Sequence, residues 1–230
     1  MSTHDIAKTE RTEMYLKAVF ALQHTAPPAT VSKVAEFMGV SVPSASEMLK
    51  RLEQQGYVCS TDEGVGLTAA GRDVAVRVVR RLRLAERLLT DVLGLELERV
   101  YEEACKLEHV ISPEVEARLE HVLGSPERCP HGLPIPRPDG SVSPLPEETL
   151  ADLGEGQTGV VCAIPEEDPQ LVAYLRSLHL VPNARVRVLE VAPFNGPIFF
   201  EADGFRHAVG REAAGRVRVQ PQQAPPDLEG

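Results

Sequence analysis

The sequence predicts a mainly α-helical protein with a small β domain at its C-terminal end. Three observations support this fold class. Apolar residues recur at helical spacing, with clear start and stop residues, through the first part of the chain. The next part is also helical but more apolar, and the last consists of short β-branched segments separated by Gly, Pro and Asn. We predict a winged helix-turn-helix, a helical dimerisation domain and a C-terminal SH3-like β-barrel.

Residues 9–75 have the pattern of three short helices followed by a β-hairpin. The first helix carries an apolar stripe at the i, i+3, i+4, i+7 spacing: Tyr15, Ala18, Val19 and Leu22. Thr30 can cap a second helix that stops at Gly39. Pro43 begins a third helix that ends at Gly56, and two short strands around a Gly-containing turn follow. This order of elements predicts a winged helix-turn-helix.

Residues 72–123 are helical and rich in apolar positions. A stripe runs along the first helix of this part, before Gly94 interrupts it: Val74, Val78, Leu82, Ala85, Leu89 and Val92. A second helix is predicted from about Leu97 to Val110. A third begins at Ser112-Pro113 and ends at Gly124. Because helices with such wide apolar faces need a partner surface, we expect a symmetric dimer.

The remaining chain divides into a linker, a β domain and a tail. Residues 124–150 are rich in proline and show little periodicity, which predicts a linker. Five short strands and one helix between residues 153 and 219 predict a barrel of SH3-like size. The predicted divisions are a winged-helix domain (1–75), a dimerisation and metal-binding domain with the linker (76–147), an SH3-like, FeoA-like domain (148–220) and a disordered tail (221–230).

Charge and composition limit the partners and the compartment. The formal net charge of −10 argues against nucleic acid as a partner of the whole chain, because phosphates attract positive charge. Basic residues nevertheless cluster locally, at Lys33, Lys50 and Arg51, so a dimer can present a basic face. The N-terminal segment is polar and no apolar run is long enough to span a membrane, so we expect a cytoplasmic protein.

Four cysteines are scattered along the chain without a pairing framework: Cys59, Cys105, Cys129 and Cys162. In a reducing compartment we expect thiols or metal ligands rather than disulfides. Cys105, Glu108 and His109 stand at i, i+3, i+4, so one helix would bring their side chains to one face. A thiolate, a carboxylate and an imidazole together suit a borderline transition metal. The alternative is a small buried cysteine beside a solvated Glu–His pair.

Several segments match one known family in order and spacing: TERTEMYLKAVFAL, SVPSASEMLKRLEQQGYV, LTAAGR, RLRLAERLLTDVLGLELERVYEEACKLEHVISPEVEARLEHVLG and CPHGLPIP. Through them the chain resembles the diphtheria toxin repressor family of iron- and manganese-dependent transcriptional regulators, to which the manganese transport regulators also belong. The resemblance is nearly gapless through residue 136 and looser through the predicted barrel. It implies a repressor of metal-homeostasis genes that binds a palindromic operator as a metal-loaded homodimer.

The resemblance also implies a metal site. Carried over position by position, its ligands are Met14, Cys105, Glu108 and His109. All four match the iron-sensing pattern, whereas the manganese-selective branch has carboxylates in place of Met14 and Cys105. Softer sulfur ligands favour Fe²⁺, and metal availability leaves Mn²⁺ open. Without the resemblance, Met14 would be interpreted as a core methionine.

A second, ancillary metal site of the family matches this sequence only in part. Glu86 occupies the position of its carboxylate, but Leu82 and Tyr101 stand where the family has histidines. The nearest candidates for ligands from the barrel are Glu166 and Glu167. We therefore expect this ancillary site to be empty or to bind metal weakly, with Glu86 as a candidate ligand.

Two structural interpretations compete with a second site. Glu86 can equally pair with Arg83 or Arg87 on its own helix. Cys129 and His131 in CPHG could ligate zinc, but no second ligand pair lies nearby in sequence at zinc-finger spacing. The resemblance implies that this segment is a structural turn.

The third helix is the predicted recognition helix. We expect DNA contacts from this helix and from the start of the second helix: Ser32, Lys33, Ser41, Pro43, Ser44, Glu47, Lys50 and Arg51. The family usually has Gln where this chain has Glu47, which can accept from cytosine but repels phosphate. The predicted wing is acidic, with Asp62 and Glu63. The alternative for this fold is a winged domain that binds protein.

In the expected mechanism, metal joins Met14 to the other three ligands and selects the spacing at which two recognition helices fit adjacent major grooves. No reaction is catalysed. One rival is a redox-sensing repressor in which Cys105 is oxidised. Another is a metal-dependent hydrolase, but the sequence offers neither a nucleophile nor a phosphate-binding glycine loop.

Overall fold

A computed structural model describes the backbone of residues 3–222 and the side chains of residues 9–222. The chain forms two compact units. The first contains the residues up to Leu82 together with Glu108–Ile111 and Pro136–Ser141. The second contains Arg83–Leu107, Ser112–Ile135 and the chain from Val142 onward. The division into three domains with the boundaries given above stays a prediction.

The first unit is a winged helix-turn-helix, as predicted. Its elements are α1 (Thr3–Thr25), α2 (Val31–Phe37), α3 (Val42–Gln54), β1 (Val58–Thr61), β2 (Gly64–Leu67) and the larger part of α4 (Ala69–Arg87). The side chain of Thr30 caps α2 and that of Ser41 caps α3. β1 and β2 pair antiparallel to form the wing.

One face of α3 is buried in the first unit: Ala45, Met48, Leu49 and Leu52. On α1, Tyr15, Leu16 and Phe20 are also buried, at most 2 % exposed. Because the apolar residues of α3 recur at helical spacing, its opposite face is left to solvent.

The helices of the second unit follow the end of α4. One turn of π-helix (Leu88–Val92) extends α4, and α5 (Leu97–Leu107) and α6 (Pro113–Val122) come next. The predicted helix from Leu97 to Val110 was too long, since Glu108–Val110 form a turn. Ser112 caps α6 as predicted. No residue of α6 is buried in this single chain, and Val115 and Val122 are exposed apolar side chains.

The C-terminal part of the second unit is a five-stranded antiparallel sheet in the order β6-β5-β4-β3-β7. Its elements are β3 (Thr158–Ala163), α7 (Pro169–Ser177), β4 (Arg185–Val191), β5 (Ile198–Ala202), β6 (Phe205–Val209), α8 (Arg211–Ala214) and β7 (Arg218–Gln222). The predicted disordered tail began too early, because Pro221 and Gln222 belong to β7. Residues 223–230 of that tail lie outside the described residues.

The first half of the predicted linker is packed rather than free. Cys129, Leu133 and Ile135 are buried in a cluster with Leu84 and Ala163. Two backbone hydrogen bonds hold this segment, one from the Cys129 N–H to the Leu133 carbonyl and one from the Ile135 N–H to the Glu127 carbonyl. The sequence pattern did not predict these contacts, because the segment forms neither a helix nor a long strand and so shows no periodicity.

No described helix is long and apolar enough to cross a membrane.

Candidate metal centres and DNA-binding surface

The structure places the predicted ligands of the first metal site on three segments. Met14 lies on α1 and is 41 % exposed. Glu108 and His109 lie in the turn after α5, and both belong to the first unit with Met14. Cys105 is half-buried on α5 in the second unit. The helix that was predicted to carry all three of Cys105, Glu108 and His109 ends at Leu107, so the last two lie in the turn that directly follows it.

Glu108 is completely buried and forms an ion pair that the sequence did not suggest. Its Oε1 accepts a hydrogen bond from Lys17 Nζ at 2.5 Å, and the exposed fractions of the two side chains are 1 % and 6 %. Glu108 Oε2 is buried and has no hydrogen-bond partner among the described residues. A buried carboxylate oxygen in this state is a donor atom available to a cation.

His109 lies between two carboxylates. Its Nε2 is 3.2 Å from Glu108 Oε1, and its Nδ1 is 2.6 Å from Glu13 Oε2. Burial alone would lower the pKa of His109, but hydrogen bonds and charges from Glu108 and Glu13 outweigh it and raise this pKa to about 9. His109 Nε2 thus lies beside the Glu108 carboxylate, and an imidazole and a carboxylate together fit a divalent cation.

A second group of ligands converges in the second unit. Glu86, Cys129, His131 and Glu166 are all buried, and one potential ligand atom from each lies within 4.8 Å of the others. Glu86 is on α4, Cys129 and His131 are in the packed segment after α6, and Glu166 is in the loop between β3 and α7. Nitrogen, sulfur and oxygen donors in one buried place suit a transition metal.

Hydrogen bonds orient these four side chains. His131 Nε2 is 3.1 Å from the Leu97 carbonyl, so it donates there and leaves Nδ1 facing Glu86 Oε1 at 3.3 Å. The Cys129 thiol lies 3.7 Å from Glu166 Oε2, and Arg83 Nη2 is 3.2 Å from Glu166 Oε1. Within the described part of the chain, neither oxygen of Glu86 has a partner in hydrogen-bond geometry.

The electrostatics of this cluster are set by burial and by its two carboxylates, of which Arg83 pairs with only one. Burial raises the pKa of the Cys129 thiol well above its ordinary value, and the nearby carboxylates add to this effect. Burial also raises the pKa of Glu166, while Arg83 opposes the shift. Burial would lower the pKa of His131, but Glu86 and Glu166 reverse the direction and raise it. The residues therefore fit a bound cation.

The sequence interpretation missed this arrangement. Glu86 does not pair with Arg83, which binds Glu166, or with Arg87, which binds Asp91. The segment with Cys129 and His131 is a turn, as expected, but it also brings both side chains to Glu86. The imidazole missing at the positions of Leu82 and Tyr101 is thus supplied by His131. The two-residue spacing of Cys129 and His131 was a usable signal, but their partners lie far away in sequence.

The expected DNA-contacting residues of α3 lie on its outer face. Ser41, Pro43, Glu47, Lys50 and Arg51 are exposed and Ser44 is half-buried. The Ser41 hydroxyl accepts from the Ser44 N–H, so it fixes the first turn of the helix. The exposed residues of this group are available to contact DNA.

At the start of α2, the Lys33 side chain has contacts within its own chain. Ser32 is exposed, but the Lys33 ammonium donates to the backbone carbonyls of Ala26, at 2.7 Å, and Pro28, at 3.2 Å. It therefore stabilises the loop before α2. Asp62 and Glu63 are exposed at the wing tip, which is acidic as the sequence indicates.

Comparison with known proteins matches three consecutive parts of the chain. Residues 8–64 match the iron dependent repressor N-terminal DNA binding domain, residues 68–137 the iron dependent repressor metal binding and dimerisation domain, and residues 148–221 the FeoA domain. The chain is 34 % identical to the iron-dependent repressor IdeR of Mycobacterium leprae over 224 residues, which cover 92 % of this chain and 97 % of that protein. It is 43 % identical to the diphtheria toxin repressor of Corynebacterium glutamicum over 128 residues, 55 % of this chain and 56 % of that protein.

Solved structures of similar proteins agree with these sequence matches. A manganese-dependent transcriptional repressor in complex with manganese is 36 % identical, with a TM-score of 0.85 over 92 % of this chain and all of that one. The manganese regulator SloR is 30 % identical, with a TM-score of 0.80 over 92 % of this chain and 98 % of that one. These similarities confirm the predicted fold class and do not support the redox-sensing alternative for Cys105.

Proposed function

This chain belongs to the diphtheria toxin repressor family of iron- and manganese-dependent regulators, and we propose that two sets of its residues couple metal binding to operator binding. It is a metal-dependent, DNA-binding transcriptional repressor that takes Fe²⁺ or Mn²⁺, and it is not an enzyme. We also propose the identity of the metal ligands, a symmetric operator and a cytoplasmic location.

The first proposed site consists of Met14, Cys105, Glu108 and His109. Support comes from the open Oε2 of buried Glu108 and from His109 Nε2, which lies 3.2 Å from the other oxygen of the same carboxylate. The bound cation supplies the positive charge that links these ligands. Lys17 keeps Glu108 paired before metal arrives, and the two sulfur atoms favour Fe²⁺ over harder cations while leaving Mn²⁺ possible.

The second proposed site consists of Glu86, Cys129, His131 and Glu166. Its convergence of four buried ligand groups is the observation that carries the metal-dependent function. Arg83 holds one oxygen of Glu166, and the Leu97 carbonyl holds His131, so both ligands are oriented before metal binds. This second site replaces the expectation that Glu86 marks an empty position.

The proposed DNA contact is made by α3 of each subunit in a dimer. Ser41, Pro43 and Ser44 approach the backbone and thymine methyl groups, and Glu47 faces the base edges. Lys50 or Arg51 binds phosphate, as do Ser32 and Lys33 at the start of α2. The exposed apolar residues of the second unit supply a dimer surface: Val92, Leu93, Val115 and Val122. A two-fold dimer requires a palindromic operator with half-sites about one helical turn, or a multiple of it, apart.

Operator binding by the metal-free protein, titrated anaerobically with Fe²⁺, Mn²⁺ or Zn²⁺, tests this function. Fluorescence anisotropy should show that Fe²⁺ or Mn²⁺ produces tight binding to a palindrome but not to its scrambled control. Cys105→Ala and His109→Ala should each remove the metal response while the dimer remains folded. Cys162→Ala, a change on β3 outside both ligand sets, is the matched control. A wild-type response in either ligand variant would contradict the first site.

A further inference from the structure

We propose that Glu13 is a positioning residue of the first metal site, which holds the His109 ring so that Nε2 faces Glu108. The inference rests on the proposed function, since it concerns a ligand of that site. Glu13 precedes Met14 in the chain, and the sequence pattern assigned it no role.

The contact between Glu13 and His109 is short and largely shielded from water. Glu13 Oε2 lies 2.6 Å from His109 Nδ1, and the exposed fractions of the two side chains are 15 % and 11 %. The other ring nitrogen, Nε2, is 3.2 Å from Glu108 Oε1. Since a carboxylate accepts the proton on Nδ1, the Nε2 lone pair is the one left for a metal.

Glu13 is itself held in place by a second contact. Its other oxygen, Oε1, accepts from Arg81 Nη2 at 3.2 Å, and the Arg81 side chain is 16 % exposed. With its two oxygens bound to different groups, the carboxylate cannot rotate without breaking one bond.

The chemistry of this arrangement is that of an oriented metal ligand. Histidines that bind metals usually donate their second ring N–H to a carboxylate or a carbonyl, which fixes the tautomer and the ring plane. Here α1 supplies the orienting carboxylate, α4 fixes it through Arg81, and His109 lies in the turn after α5. All three segments belong to the first unit.

The test measures Mn²⁺ affinity by competition with a fluorescent chelator. Glu13→Ala, Glu13→Gln and His109→Ala are compared in a Glu86→Gln background, which weakens the second site with little change in shape. Glu13→Ala should bind Mn²⁺ about 10- to 100-fold more weakly. Glu13→Gln should lose less than Glu13→Ala but more than about threefold, because its neutral amide oxygen still accepts from Nδ1, though more weakly than a carboxylate. Glu10→Gln removes the same charge from α1 one turn earlier and should bind like the parent.

The outcomes separate positioning from a merely structural role. A lower melting temperature with an unchanged Mn²⁺ affinity in Glu13→Gln would overturn the proposal, and so would an affinity within threefold of the parent in Glu13→Ala. If Glu13→Ala does not fold, Glu13→Gln decides by the same criterion. If His109→Ala also binds Mn²⁺ like the parent, the ligand assignment of the first site fails as well. Loss in His109→Ala without loss in the Glu13 variants overturns only the role of Glu13.

Discussion

Replacement of Lys17 by Met tests the buried ion pair beneath the first site. Met has a similar length but no charge, so Lys17→Met leaves Glu108 buried without its ammonium partner. The two residues are 5 % and 0 % exposed, and their charged atoms are 2.5 Å apart. Water therefore cannot easily take the place of the lost partner.

The expected loss is large in the metal-free protein. Removal of one partner from a buried ion pair typically costs about 3–5 kcal/mol, and His109 Nε2, 3.2 Å from Glu108 Oε1, compensates part of the remaining charge, so we expect a loss at the lower end of this range. A divalent cation at Glu108 would compensate that charge again. We therefore expect the destabilisation to shrink markedly when the protein is saturated with Mn²⁺.

Urea unfolding followed by circular dichroism, with and without Mn²⁺, measures both values. Lys106→Met is the matched control, because Lys106 forms a largely exposed pair with Glu103 and its removal should leave stability nearly unchanged. A loss below about 1 kcal/mol would refute the burial argument. An equal loss with and without Mn²⁺ would refute the placement of the cation at Glu108.

Three further predictions address proton competition, the second site and DNA. The raised pKa of His109, about 9, means that a proton must leave before the ring binds metal. The Mn²⁺ affinity, measured by chelator competition, should therefore rise about tenfold between pH 7 and 8, and an affinity that does not change with pH would contradict this. Gly132→Ala would place a Cβ 2.0 Å from the Cys162 carbonyl, at a φ of +85°, and so would displace the neighbouring ligand His131. The metal content per chain should therefore fall, and an unchanged metal content would argue against the second site. Lys50→Ala should weaken binding to all DNA alike and flatten its salt dependence, whereas Glu47→Gln should change which bases are preferred. Fluorescence anisotropy on the palindrome and on its scrambled control, across a salt series, shows whether the two effects separate.

Local structure followed from the sequence because its determinants are local. Ser41 caps α3, Gly56 follows its end, and apolar residues recur at helical spacing between them. The same kind of signal located α6 after Ser112 and the five strands of the barrel. Where the pattern carried no stop signal, the prediction failed, as with the helix that ends at Leu107 instead of Val110.

The metal centres show the limit of such signals. The sequence, through its family resemblance, was sufficient to nominate Met14, Cys105, Glu108 and His109. It could not show that Lys17 and Glu13 contact Glu108 and His109, because these contacts join residues more than 90 positions apart. Periodicity specifies which face of a helix is buried but not which distant side chain meets it.

By itself the sequence determined the order of helices and strands, and through its family resemblance it nominated a recognition helix and Fe²⁺ or Mn²⁺ as the metal. Only the tertiary structure decided that Glu86, Cys129, His131 and Glu166 form one buried cluster. The packed segment after α6 carries no regular repeat, and its side chains reach Glu86 and Glu166 through core contacts with Leu84 and Ala163. Convergence of this kind depends on the path of the chain between the elements, which packing fixes and local pattern does not encode.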